Sequence, residues 1–218
     1  MTPRLGYLEA WAAQRRLAAA RRDGAIPDVV WILEHDPVYT YGRHGRRADL
    51  YLSDSELRAR GGACHEVDRG GQMTWHGPGQ SVGYVIRDLR GGRRVRDFVR
   101  ALAEAMAEAS AVPGASPGVE AMGCFVAGRK LGSVGIRVDR GVTTHGLALN
   151  RDPDPAWLLA MTACGAPDVP PTTIAAEGGD PDRVRVDGAL AAAMAERLGL
   201  DLRPAALEDL LPRTSLAA

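Results

Sequence analysis

The chain has almost no lysine: of 27 Lys+Arg residues, Lys130 alone is not arginine. Guanidinium groups meet every other need for positive charge, so this one ammonium is a candidate for what arginine cannot do, the loss of a proton near neutrality. The competing reading is a chance surface lysine in an arginine-biased chain. Net charge is also lacking, with 27 basic against 27 acidic residues. Nothing global therefore recruits nucleic acid or an anionic membrane, and neither is expected as a partner. Local clusters at Arg43–Arg47 and Arg90–Arg100 could meet an acidic protein, although ordinary solvated arginines are the favoured reading of either cluster alone. Cysteine is scarce and odd in number: Cys64, Cys124 and Cys164, with no C-x-x-C spacing. That argues against both a disulfide framework and a zinc site, and no metal is expected. No window approaches the roughly 18 apolar residues of a membrane span, and Met1 to Arg22 lacks a signal-peptide core. A cytoplasmic location is the expectation. Repeats and low-complexity linkers are missing too, so 218 residues at 45% hydrophobic content are read as one domain, 1–218.

What the chain does have is a glycine-rich run, Arg69-Gly70-Gly71-Gln72-Met73-Thr74-Trp75-His76-Gly77-Pro78-Gly79-Gln80. Glycines let a backbone turn tightly and let a ligand approach the main chain closely. Interleaved with Arg69, Thr74 and His76, they suggest a polar, shaped wall. A plain surface loop is the alternative reading.

Around this run the patterning suggests an opening helix before Gly24, strands at Val29–Leu33 and Val38–Tyr41, and a short helix opened by a Ser53/Glu56 capping box. Strands follow at Cys64–Val67 and Ser81–Ile86, one on each side of the run. Val95, Phe98, Val99, Leu102 and Met106 recur at helical spacing and predict a helix over Val95–Ser110. An antiparallel meander comes next, Cys124–Ala127, Lys130–Val138 and Val142–Asn150, with turns at Gly128-Arg129 and Asp139-Arg140-Gly141. A short helix over Pro155–Met161, an irregular stretch to Pro171 and a final helix over Val186–Leu198 close the chain. Helices placed before and after a mainly antiparallel sheet indicate an α+β fold.

Cys164 lies between a predicted helix and a proline-rich loop. Only a thiolate is nucleophilic, and a thiol pKa of about 8.5 falls beside a cation or a helix terminus. Residue type alone ranks Cys164 only slightly above Cys64 and Cys124, because free cysteines are usually small buried hydrophobes. His145, beside Gly146 in a strand, marks either close approach of a ligand or a satisfied core histidine.

Taken in order, four patterns resemble the octanoyltransferases of lipoate biosynthesis. They are the Arg69–Gln80 run, Gly128-Arg129-Lys130 with Ser133-Val134-Gly135, His145-Gly146-Leu147-Ala148-Leu149-Asn150, and Cys164-Gly165. The resemblance extends from Pro37-Val38-Tyr39-Thr40-Tyr41-Gly42-Arg43 to Thr172-Thr173-Ile174 and the last helix. It implies the catalytic module shared with biotin and lipoate protein ligases, a mainly antiparallel or mixed sheet flanked by helices. It also implies transfer of octanoyl from octanoyl-acyl carrier protein to Cys164, then to a lysine on lipoyl domains of 2-oxoacid dehydrogenases and the glycine cleavage H protein. Lys130 would partner Cys164, and backbone N–H groups near Gly165 would stabilise the oxyanion.

By the same resemblance the acyl pocket is lined by Arg69, Gly70, Gly71, Gln72, Met73, Thr74, Trp75 and His76. Ser133, Val134, Gly135, His145, Gly146, Leu147 and Ala148 complete it. Small residues suit a slot for an eight-carbon chain, since each buried CH₂ contributes roughly 0.8 kcal/mol. No cofactor is implied, a monomer is expected, and Arg43, Arg46, Arg47, Arg93 and Arg94 are candidates to steer acidic carriers. Two departures stand out: Ala163 replaces the family's proline before the cysteine, and Glu120–Val126 follows the family's Gly-Val-aromatic-Val strand only loosely. Three rival readings remain. One is an octanoyl amidotransferase working between lipoyl domains, another a non-catalytic module binding acyl carrier protein, and the third an ATP-dependent ligase of the same fold, which would need a phosphate-binding lysine motif.

Overall fold

A computed structural model describes residues 4–118, 120, 122–162 and 169–211. Its larger sheet has six antiparallel strands in the order β1 (Val29–Leu33), β5 (Gln80–Ile86), β9 (Val142–Asn150), β8 (Arg129–Asp139), β7 (Gly123–Val126) and β6 (Ser116–Gly118). Strands β5 and β9 are buried at every position, so neither shows the polar alternation of a half-exposed strand. Helices cover both faces. Val85, Val134, Leu147 and Leu149 pack on one side with residues of α3 (Val95–Ser110) and α5 (Arg183–Leu198). On the other side Val82, Tyr84 and Ala148 meet Ala10 of α1 (Tyr7–Arg22), while Ile86 and Val142 meet its Leu17. Leu102 and Met106 on the apolar stripe of α3 are fully buried, each contributing about 1.5–3 kcal/mol relative to exposure.

The smaller sheet centres on β2 (Val38–Tyr41), with β3 (Ala63–Glu66) parallel on one side and β4 (Met73–His76) antiparallel on the other. Its core is aromatic: Tyr39, Trp75 and Met73 pack with Leu57 of α2 (Asp54–Ala59) and Leu158 of α4 (Pro155–Leu158). The Ser53/Glu56 capping box forms as expected, Glu56 N donating to Ser53 Oγ and Ser53 N to a Glu56 carboxylate oxygen. A short α6 (Leu207–Leu210) packs near α1 through Leu207 and Leu210.

The α+β reading therefore holds, with local corrections: α6 lies beyond the helix expected to be the last, and β3 sits one residue earlier than expected, at Ala63–Glu66. β4 lies inside the glycine run, where flanking glycines hide a four-residue strand. β6 carries Pro117, which an edge strand tolerates because the missing N–H is not needed there. And α4 stops at Leu158 instead of continuing to Met161, because the chain beyond it pairs with 49–51. Tyr51 N donates to Ala160 O, Thr162 N donates to Asp49 O, and Met161 bridges Leu50.

Candidate active site

The register of the central strands sets small residues of β8 and β9 in rows beside Val82 and Tyr84 of β5. Val82, Ala148 and Ser133 lie in one cross-strand row, and Tyr84, Gly146 and Gly135 in the next. The glycine run lies over these rows, fastened to β8 by the Gly70 N–H donating to Ile136 O at 2.8 Å. Between these rows and the run is a cavity of about 820 Å³ including its open mouth. Side chains larger than hydrogen have no room at Gly146, since a Cβ there would fall 2.0 Å from Gly83 O.

Most of the residues singled out from sequence line this cavity. From the run come Arg69, Gly71, Gln72, Met73, Thr74 and His76; from β8 come Ser133, Val134 and Gly135; from β9 come His145, Gly146, Leu147 and Ala148. Two do not. Trp75 turns away from the side of Thr74 and His76, as strand alternation requires, and stacks on Trp157 with ring centroids 6.0 Å apart. Gly70 is taken up by its hydrogen bond to β8. Arg69 is buried and acts as a clamp on the run: Nη2 donates to Thr40 O and Gln72 O, both at 2.7 Å, and Nη1 to Gly70 O at 3.0 Å. Its planar fork suits several fixed carbonyls at once, which an ammonium could not match.

Sequence reasoning missed the polar inner wall. Tyr7 and Tyr84 line the cavity, with His35 and Asp68 behind them. His35 Nδ1 donates to Leu5 O at 2.7 Å, leaving Nε2 to accept from Tyr84 OH at 2.7 Å. His145 Nε2 donates to Asp68 Oδ1 at 2.9 Å, and Asp68 also accepts from Trp11 Nε1 and pairs with Arg137. The His145 hydrogen bond, helped by Arg137, holds the Asp68 carboxyl at about 2. His145 is thus both a satisfied core histidine and a cavity residue, and it sits at φ +60°, a costly conformation for a non-glycine residue.

Burial holds His76 at about 3 and His35 at about 4, below the ordinary 6.5, so both are neutral at physiological pH. The unfolded chain binds protons between about pH 6.5 and about 3 that the folded chain refuses, so stability is full above this window and falls as pH drops through it. Calorimetric Tm should be flat near neutrality and decline below about pH 6.5, with a shallower slope for His76→Gln. A wild-type Tm independent of pH across that window would contradict these assignments.

Lys130 lies in a second, smaller cavity that shares Thr74 and Ser133 with the first. Its Nζ stands 5.5 Å from the Phe125 ring centroid, within cation–π range. Gly123 leaves space for its stem: a Cβ there would come within 3.0 Å of Lys130 Cε and 2.3 Å of Gly132 O. The Lys130 backbone binds the chain across from it, N–H donating to Pro170 O at 2.8 Å and C=O accepting from Thr172 N at 2.9 Å. Met161 and Val169 line the same small cavity. Cys164, Ala163 and Gly165 lie outside the described residues.

Of the described cysteines, Cys124 is buried in the core, which pushes its thiol up to about 11, and burial also raises Cys64. Neither is in a setting that favours thiolate. The exposed arginines divide. Arg43 stands at the rim of the glycine run, its N–H donating to Arg69 O, and Arg46 and Arg47 follow it. Arg93 and Arg94 precede α3 near the β8–β9 turn, where Leu89 N donates to Gly141 O, at the opposite end of β8 from Lys130. Among the described residues no cluster of His, Cys, Asp or Glu could hold a metal ion, and no helix is long and apolar enough to cross a membrane.

Residues 6–187 match the model of the lipoyl protein ligase A/B catalytic domain. An octanoyltransferase of Alcanivorax borkumensis is 39% identical over 210 residues, covering 95% of this chain and 82% of that protein. One from Alkalilimnicola ehrlichii is 40% identical over 174 residues, covering 78% of each, and a mitochondrial octanoyltransferase of Arabidopsis thaliana is 36% identical, covering 79% and 75%. Among solved structures, lipoate-protein ligase A bound with ATP superposes with TM-score 0.72 at 16% identity, covering 92% of this chain and 87% of that one. A bipartite lipoate protein ligase from Thermoplasma acidophilum gives 0.71 at 16% identity, covering 92% and 86%. These two likenesses establish the fold.

Proposed function

Because this chain belongs to the lipoyl protein ligase A/B catalytic-domain family and, within it, to the octanoyltransferases of protein lipoylation, we propose that it transfers octanoyl through a thioester on Cys164. In the first step Sγ of Cys164 attacks the thioester carbonyl of octanoyl-acyl carrier protein. A new C–S bond forms, the old one breaks, and the carrier thiol leaves with a proton. In the second step the ε-amine of a lysine on a lipoyl domain attacks the enzyme thioester; the C–N bond forms, the C–S bond breaks, and the sulfur regains its proton. Thioester exchange is nearly balanced and amide formation runs downhill, so the sequence of steps closes without ATP. Lys130 stabilises the thiolate as a cation and passes protons between sulfur and amine.

The observation that carries this reading is the position of the single lysine. Lys130 shares a small cavity with Met161 and Val169, which bracket residues 163–168 in sequence, and its backbone holds Pro170 and Thr172. The larger cavity supports the rest, since it opens beside Lys130 and its small residues from β8 and β9 suit an unbranched acyl chain. Lipoyl domains of 2-oxoacid dehydrogenases and the glycine cleavage H protein are the proposed acceptors. Arg43, Arg46 and Arg47 are better placed than Arg93 and Arg94 to meet acidic carriers at the mouth.

The donor distinguishes this reading from transfer between two lipoyl domains. Given equal concentrations of octanoyl-acyl carrier protein and an octanoylated lipoyl domain, the enzyme should label a fresh lipoyl domain much faster from the carrier protein. A faster rate from the octanoylated lipoyl domain would assign the enzyme to amidotransfer instead.

A further inference from the structure

Three motif residues that the catalytic reading leaves unused, Gln80 at the end of the glycine run, Asn150 at the end of β9 and Thr172, meet in one chain of hydrogen bonds. His76 Nδ1 donates to Gln80 Oε1 at 2.8 Å, Gln80 Nε2 to Asn150 Oδ1 at 2.8 Å, and Asn150 Nδ2 to Thr172 O at 3.1 Å. Thr172 N then donates to Lys130 O at 2.9 Å, and Lys130 N donates to Pro170 O at 2.8 Å. His76, Gln80, Asn150, Thr172 and Lys130 are all buried.

The chain has one direction. An amide oxygen only accepts, so Gln80 Oε1 fixes the proton of His76 on Nδ1 and leaves Nε2 bare. Gln80 can present that oxygen because its nitrogen is committed to Asn150, and Asn150 can accept because its own nitrogen is committed to Thr172. Reversing any one amide would set two donors or two acceptors against each other, and a buried polar group without its partner costs about 1–3 kcal/mol. The side chains of Gln80 and Asn150 thus connect a residue of the acyl cavity to the segment following Cys164, and both line the small cavity that contains Lys130.

We infer that Gln80 and Asn150 are positioning residues for octanoyl transfer: their paired amides hold the 170–172 segment against Lys130 and so align Lys130 with a chain seated beside His76. This inference rests on the Cys164 reading above. The same segment is held by other bonds, with Arg129 pairing through two nitrogens to Glu177 and Thr172 Oγ1 donating to Glu177. The amide pair is therefore assigned the alignment of the segment, not its attachment.

The test compares wild type with Asn150→Asp, Asn150→Leu, Gln80→Met and the double variant Gln80→Met/Asn150→Leu, using octanoyl-acyl carrier protein and a lipoyl domain. Asn150→Asp keeps the oxygen that Gln80 needs and replaces the donor facing Thr172 O, so it tests the link even if the leucine variant folds poorly. Misplacing reacting groups by about 1 Å costs roughly 10²-fold in rate, so kcat should fall by about that factor in each single variant. KM for the carrier should change by no more than about twofold, since neither substituted side chain lines the acyl slot. The double variant should lose little more than either single one, because both break the same chain. Variants of wild-type Tm that keep full kcat, that lose rate through KM alone, or whose losses multiply would overturn the inference. Failure of the Cys164 reading looks different: wild type itself would transfer octanoyl without carrying any on sulfur.

Discussion

Lys130→Arg is expected to lower kcat for octanoyl transfer by roughly 10²- to 10⁴-fold, the usual range for removing a positioned acid or base. Arginine keeps the positive charge and could still lower the thiol pKa of a neighbouring cysteine, but it does not give up a proton at working pH. Lys130→Met, which keeps an unbranched stem and loses the charge as well, should be at least as impaired. The pair separates the two roles assigned to this residue. If arginine restored most of the activity that methionine loses, the contribution would be electrostatic, and another group would have to carry the proton. The site gives the substitution a second hurdle: Gly123 and Phe125 surround a narrow stem, and a planar guanidinium is bulkier at its end. Octanoyl transfer should therefore be read as kcat and KM separately. A loss confined to KM would point to distorted binding instead of missing proton transfer.

How much of this could be read from the sequence depended on how far each signal extends along the chain. α3 at Val95–Ser110 and β9 at Val142–Asn150 match their sequence-derived limits, because sixteen residues of 3.6-fold periodicity mark the first and the turn at Asp139-Arg140-Gly141 marks the start of the second. β4 at Met73–His76 was hidden, since four alternating residues among glycines look like loop, and Pro117 concealed β6. The small residues of the cavity were legible for a related reason. Ser133, Gly135, Gly146 and Ala148 belong to two adjacent strands joined by a tight turn, so their register follows from local sequence. Tyr7, His35, Tyr84 and Asp68 were not legible. Each is a single polar residue in its own segment, and they converge only because α1 lies across β5 and the loop before the glycine run closes over both. Trp75 was assigned to the acyl wall for want of the strand that turns it away. Gln80 and Asn150 stood in the motifs all along, but nothing in a linear sequence says that two amides 70 residues apart share a hydrogen bond.

Cys164→Ser should abolish the enzyme-bound acyl group, because a serine hydroxyl at neutral pH is a far weaker nucleophile than a thiolate. Cys64 and Cys124 cannot take its place in this scheme: burial raises both thiols, Cys124 to about 11. The decisive observation is the intact mass of the protein after mixing with octanoyl-acyl carrier protein in the absence of any lipoyl domain, followed by peptide mapping. Wild type should gain the mass of one octanoyl group, located on Cys164 and discharged when a lipoyl domain is added, and Cys164→Ser should gain none under the same mild conditions. Octanoyl transfer by a wild-type enzyme that never carries the acyl group, or that carries it on Cys64 or Cys124, would contradict the proposed chemistry.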